Sequence, residues 1–290
     1  LAEAEVEYED KNSPAIDVAF AVHENHAARL AAAFGLSHLR GPAFAVIWTT
    51  TPWTLPANEA VSVHPELTYD LIETEKGALI LVRELAQACL QRYGLSGTTV
   101  AFCQGNKLDQ MLLKHPFQER DVAIICGTHV TTEAGTGLVH TAPAHGVDDY
   151  NIGRKYGLPV NNPVGNDGRF ISSTPALAVG ELAGKTVWEA NPLVLQELEA
   201  RGRLLKQERI QHSYPHCWRH KTPIIFRATT QWFIGMENRA VRPGARESEQ
   251  EEAPTLRWIA ERAVDETQFF PSWGRARLEG MMKTRPDWCV

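Results

Sequence analysis

No hydrophobic run in the sequence approaches the roughly 20 apolar residues of a spanning helix, so a membrane partner is not expected. Cysteine is scarce. The five present (Cys89, Cys103, Cys126, Cys217 and Cys289) are scattered and odd in number, which argues against a disulfide framework and fits a reducing, cytoplasmic compartment. Leu1 to Asp10 is acidic and lacks both a basic start and an apolar h-region, so no secretory signal is read there. A basic excess is missing too: the formal net charge is -6, which argues against a dedicated nucleic-acid module with an overall basic surface. There is no Gly-x-Ser-x-Gly nucleophile elbow, no P-loop and no internal repeat.

What is present suits an ordinary globular chain. With 290 residues, 43% of them hydrophobic, one large domain plus smaller appendages is expected. Ala43 to Trp48 is a continuous apolar run that reads as a buried strand, and Pro52 and Pro56 then block further regular structure. A hairpin is expected around Glu75 to Gly77, a helix over Glu84 to Tyr93 before Gly94, and strands at Val122 to Ile125 and Gly137 to His140. A helix start is expected at Asn191-Pro192, with further helices at Arg257 to Val264 and Trp273 to Met282. Mixed strands, short helices and many Gly/Pro turns predict an α+β fold on a curved sheet or β-barrel with peripheral helices.

Charge is uneven along the chain. Between Arg201 and Arg227 lie seven Lys/Arg residues against the single carboxylate Glu208. Such a strip either follows a phosphate backbone or is simply a solvated face. Glu247 to Glu252 is an acidic run expected as an exposed loop or insertion, and the abrupt apolar end of Arg285 to Val290 reads as a chain cut from a larger protein.

Three segments carry the candidate chemistry. Thr49-Thr50-Thr51-Pro52-Trp53-Thr54-Leu55-Pro56-Ala57-Asn58 gathers hydroxyls at a strand end, suited to orient a water or grip a polar ligand. The plainer reading is β-branched residues finishing a strand. Gly135 to Tyr150 places His140, His145, Asp148 and Asp149 beside glycines that allow close backbone approach. The plainer readings there are a structural histidine and a helix N-cap. Cys217 and His220 are spaced as half a zinc site, but no second pair at suitable spacing follows, so no metal is expected. The residues alone lead to an enzyme-like domain with a hydroxyl- and His/Asp-lined pocket.

The same segments resemble isoleucyl-tRNA synthetase. Trp48 to Asn58 is similar to the threonine-rich motif of its editing insertion (CP1), where the related leucine and valine enzymes carry Arg in place of Thr51. Residues 135 to 150 resemble the second editing motif, 212 to 223 the segment returning to the catalytic core, and 285 to 290 the lead-in to that core's second half. The resemblance implies a connecting segment over 1–18, an editing domain over 19–211 and a return segment over 212–290 with an acidic insertion near 240–266. It implies hydrolytic removal of valine from tRNA(Ile), from valyl-adenylate, or from both. The alternatives kept open are a non-catalytic tRNA-binding or zinc-stabilised insertion, and a different hydrolase or transferase. By the same resemblance Thr49, Thr50 and Asp149 are catalytic: the threonines position water and ester, and Asp149 holds the substrate's α-ammonium. Thr51, Trp53 and His140 would line the side-chain pocket and Asn58 would meet the adenosine. The family's two nucleotide-binding signatures (His-Ile-Gly-His-like and Lys-Met-Ser-Lys-Ser-like) do not occur here, so ATP and Mg are expected only with the catalytic core of the full-length chain, which is also an expected partner.

Overall fold

The computed structural model describes residues 5–241 and 253–290, so the acidic run Glu247 to Glu252 lies outside the described residues. Two compact units are present, Leu1–Ala228 and Thr229–Val290.

Apolar runs set the strands of the first unit. β1 (Val6–Ala21) is exposed along its first half and buried from Ala15 to Phe20, where it lies between two neighbours. β2 (Ala43–Thr49) is the expected buried strand. With β4 (Thr68–Thr74), β5 (Gly77–Val82), β6 (Gly97–Gln104) and β10 (Leu204–Cys217) they form a six-stranded sheet of order β10-β1-β2-β5-β4-β6. A second sheet has the order β7-β8-β3-β9, from β3 (Ala60–Val63), β7 (Leu112–Lys114), β8 (Asp121–Cys126) and β9 (Leu138–Thr141). Pairing is antiparallel except β2 with β5 and β3 with β8. One bridge, Val22 with Leu113, joins the sheets at a corner. Among the described residues no pairing closes either sheet, so the α+β class is observed with open sheets and not a closed barrel.

The apolar faces of both sheets share one core that includes Phe20, Ile47, Leu55, Ile80 and Leu138. Burying each such side chain is worth ~1.5–3 kcal/mol, which is what locks the two sheets together. Residues 18 and 211 both fall inside paired strands of this unit: Val18 pairs with Leu204 and Ile47, and Gln211 with Asn12.

Local signals place most helices. α1 (Ala27–Ala33) is short; α2 (Arg83–Tyr93) ends on Gly94 at φ 67, a left-handed cap that glycine adopts without strain. α3 (Val147–Tyr156) follows β9. α4 spans Val187–Ala200 and starts earlier than Asn191-Pro192 suggests. Its N-cap is Thr186, whose capping box with Glu189 satisfies the first amides and outweighs the single bond that Pro192 forgoes inside the helix. In the second unit α5 (Leu256–Glu266) and α6 (Trp273–Thr284) pack together beside a short pair, β11 (Phe233–Ile234) with β12 (Trp288–Cys289). No helix of the described residues is long and apolar enough to cross a membrane.

Candidate functional site

A chamber of about 420 Å³ opens where the end of β2 meets the loop before β9 and the first turn of α3. Five of the residues singled out in the sequence line it together: Thr49, Thr50, Thr51, His140 and Asp149. Gly137 makes the close approach of its wall feasible. It sits at φ 75, and a Cβ there would fall 2.2 Å from Cβ of Val82.

The threonine-rich segment leaves β2 and turns as a 3-10 helix over Pro52–Ala57, which proline at its first position favours. The Asn58 amide nitrogen Nδ2 donates to the Ala60 carbonyl at 2.8 Å, which fixes the amide's orientation. Nδ2 also lies 2.7 Å from His140 Nδ1, so that ring nitrogen accepts. His140 Nε2–H therefore donates to Thr54 Oγ1 at 2.9 Å. Thr54 gives its one proton to the Thr51 carbonyl at 2.8 Å, so Thr51 Oγ1 must donate to Thr54 at 3.3 Å. Thr49 Oγ1, which accepts the Thr51 amide at 3.1 Å, then donates to Thr51 Oγ1 at 3.2 Å. The proton direction is thus set for the whole chain: Thr49 and Thr51 keep lone pairs for a ligand but no free proton. Thr50 makes no side-chain hydrogen bond among the described residues, so its hydroxyl proton is the free one at this wall.

Electrostatics separate the two titratable partners. Burial drives the His140 pKa down to about 3, helped by the nearby His145 and Arg120, so the ring is neutral and held at both nitrogens. Burial pushes Asp149 up to about 6, with the amide of Ala142 pulling it down and Asp148 adding repulsion. That amide donates to Asp149 Oδ2 at 3.1 Å, and no cation pairs with the carboxylate among the described residues. His145 donates its Nδ1 proton to the Phe226 carbonyl at 3.0 Å, which leaves Nε2 as a buried acceptor without a partner.

Two singled-out residues lie elsewhere. Asn58 is fully buried behind His140 and does not reach the chamber. Trp53 is 3% exposed; its amide donates to Asn191 Oδ1 at 3.0 Å and its ring meets His145 edge-on at 4.9 Å. It lines a second cavity of about 170 Å³ on the other side of Thr50 and Thr51. There Lys11 Nζ stands 3.7 Å from the Trp188 ring centroid and 4.3 Å from that of Tyr214. Thr54 and His145, which also line the chamber, lie inside the two segments singled out in the sequence, whereas Lys11, Trp188 and Tyr214 carry no local signal. Cys217 Sγ lies 3.3 Å from His220 Nδ1, and no cluster of three or more metal-ligating side chains occurs among the described residues.

Comparison with known proteins places this geometry in a context. The sequence profile of the tRNA synthetases class I (I, L, M and V) matches residues 1–290. The chain is 87% identical over all of its length to an isoleucine–tRNA ligase of Dechloromonas aromatica and 56% identical to one of Thiobacillus denitrificans, covering 30% of each. It therefore spans about a third of the length of these relatives. A solved structure, the crystal structure of GlLeuRS-CP1, superposes with a TM-score of 0.51 at 15% identity, over 66% of this chain and 97% of the other, a likeness of fold.

Proposed function

The chain belongs to the class I tRNA synthetases, the family of the I, L, M and V enzymes, and from that premise we propose that it is a hydrolytic proofreading domain releasing valine from its ester with tRNA(Ile) or from the mixed anhydride valyl-adenylate. The observation that carries this reading is Asp149, a half-buried carboxylate with no paired cation among the described residues, in a chamber walled by a neutral His140. A carboxylate so placed calls for a ligand cation, and the α-ammonium of an aminoacyl ester supplies one.

Proofreading answers a physical limit. A synthetic pocket shaped for isoleucine rejects valine by only ~1–3 kcal/mol per missing methylene; this pair is itself the standard example of that limit, so the figure is general. In the chamber the free Thr50 hydroxyl donates to the ester carbonyl oxygen, while the lone pairs of Thr49 and Thr51 accept from the attacking water. Water oxygen bonds to the carbonyl carbon, the bond from that carbon to the ribose oxygen breaks, and the water's proton ends on the ribose oxygen. The substrate's own neighbouring ribose hydroxyl passes that proton in this reading. The nucleotide end falls to the second cavity, where Trp188 and Tyr214 offer aromatic faces and Lys11 a cation, a role Asn58 cannot fill from behind His140.

The test is deacylation of valyl-tRNA(Ile) by the 290-residue chain. Release of valine supports the reading; binding without release makes the chain a non-catalytic tRNA-binding insertion. Thr50→Ala should lower kcat by about 10²-fold, as for loss of one preorganised donor to a developing oxyanion. Losing Thr49 as well should slow it further, since both act on one step. A double variant working at the wild-type rate would refute both roles.

The pH profile offers an independent check. Asp149 must be ionised to bind an ammonium, and its pKa in the free domain is about 6. kcat/KM should therefore fall tenfold per unit as pH drops below about 6, while free α-amino groups, titrating near ~8, stay protonated there. For stability the sign is opposite: with its pKa raised on folding, protonating Asp149 favours the folded state as pH falls from about 6. A flat kcat/KM between pH 5 and 7 would contradict the ammonium role.

A further inference from the structure

Far along the sequence from the threonine motif, two cavities of about 600 and 400 Å³ adjoin and share Lys114 and Arg203. The larger is lined by four cations, Lys114, Arg120, Arg201 and Arg203, against the carboxylates Glu119 and Asp121. Most of these charges are already engaged. Lys114 pairs with Glu24 at 2.6 Å, Arg120 with Glu59 at 3.3 Å, Arg201 with Glu197 at 2.5 Å, and Asp121 faces His23 at 3.6 Å.

Arg203 is the exception. Its guanidinium lies over the Phe44 ring at 5.2 Å and makes no ion pair or side-chain hydrogen bond among the described residues. The group is half-buried, and burial together with Arg201 holds its pKa below the usual arginine value. A planar fork of donors left without an acceptor, next to a second arginine and a lysine, matches the oxygens of a phosphate group. An arginine that only shields Phe44 would not need the other cations gathered around the same opening.

We propose that this shared trough, centred on Arg203 with Lys114 and Arg201 at its sides, is a binding site for a backbone phosphate of the RNA. Two joined cavities suit a strand that passes through, and of the carboxylates that line them Glu24 is paired with Lys114 while Glu119 and Asp121 are exposed, so Arg203 remains the unpaired charge of the trough among the described residues. The choice of RNA rests on the proofreading reading; the phosphate chemistry does not.

The experiment titrates uncharged tRNA(Ile), and separately inorganic phosphate, into the 290-residue chain and its Arg203→Gln and Arg203→Lys variants across a salt series. Arg203→Gln should weaken tRNA binding several-fold and lower the slope of log K against log salt by about 0.7–0.9, the signature of one lost phosphate contact. Arg203→Lys, which keeps the charge, should retain most of that slope. Hydrolysis of a small valyl-adenosine ester in the chamber, which shares no lining residue with the trough, should be unchanged by Arg203→Gln. Equal tRNA affinity and salt slope in wild type and Arg203→Gln overturn the proposal. Loss of inorganic phosphate binding alone overturns the RNA assignment and leaves a free-anion site. If wild type fails to hydrolyse the small ester, the proofreading reading falls, and the salt slope still decides this one.

Discussion

Asp149→Ala should abolish measurable binding of a non-hydrolysable valyl-adenosine analogue, with an affinity loss of about 100-fold or more. A hydrogen bond to a charged partner contributes ~1.5–3 kcal/mol, and without Asp149 the ligand ammonium is left buried and unpaired, which adds to the loss. The fold should persist because two local effects oppose each other. The chain sheds a carboxylate that burial disfavours, and the Ala142 amide loses its acceptor. Asp149→Asn separates the two, since its amide oxygen still accepts from Ala142 while the charge is gone. Both variants should lose the ligand and melt near wild type. Titration calorimetry showing wild-type affinity in Asp149→Asn would rule out a charge-based role.

The second large effect is expected at His140, as a change of specificity. A proofreading chamber must accept valine and refuse isoleucine, and attraction works the wrong way, because an extra buried methylene gains ~0.8 kcal/mol. Only a wall that does not yield can invert the order, at ~1–3 kcal/mol for forcing the methylene in. His140 is neutral, 8% exposed and bonded through both ring nitrogens to Asn58 and Thr54, so rotation away from the ligand breaks buried hydrogen bonds. Removing the wall should raise isoleucine release relative to valine by about 20- to 600-fold, the sum of the two terms. His140→Ala also removes one hydrogen-bond partner each from the Thr54 hydroxyl and the Asn58 amide, so its melting temperature should fall; His140→Asn, shorter but still polar, is the companion variant. A folded variant of either kind that spares isoleucyl-tRNA(Ile) as well as wild type does would show that His140 is not the gate.

The chamber's composition was legible because it is built from short contiguous pieces. An apolar strand ending in three threonines and locked by Pro52 and Pro56 has few local alternatives, and β2 and the turn after it stand where that pattern places them. The same holds for the strand that carries His140 and for Asp149 in the first turn of α3. Thr186, by contrast, caps its helix without standing out in the sequence, because the more conspicuous Asn191-Pro192 lies inside the same helix.

Which of these residues meet was beyond the sequence, since it depends on how remote strands register across two sheets that share a core. Asn58 and His140 are 82 positions apart, and Thr54 and His140 are 86 apart, yet their hydrogen bonds set the proton direction through the threonines. The assembly of Lys11, Trp188 and Tyr214 around a second cavity, and the lack of a carboxylate for Arg203 among the described residues, are likewise outcomes of packing. Local pattern determines where a side chain sits on its own strand or turn, through backbone geometry and alternation. Whether a polar atom there is satisfied, buried or left open for a ligand is a property of the surfaces packed against it, and only the tertiary structure decides that.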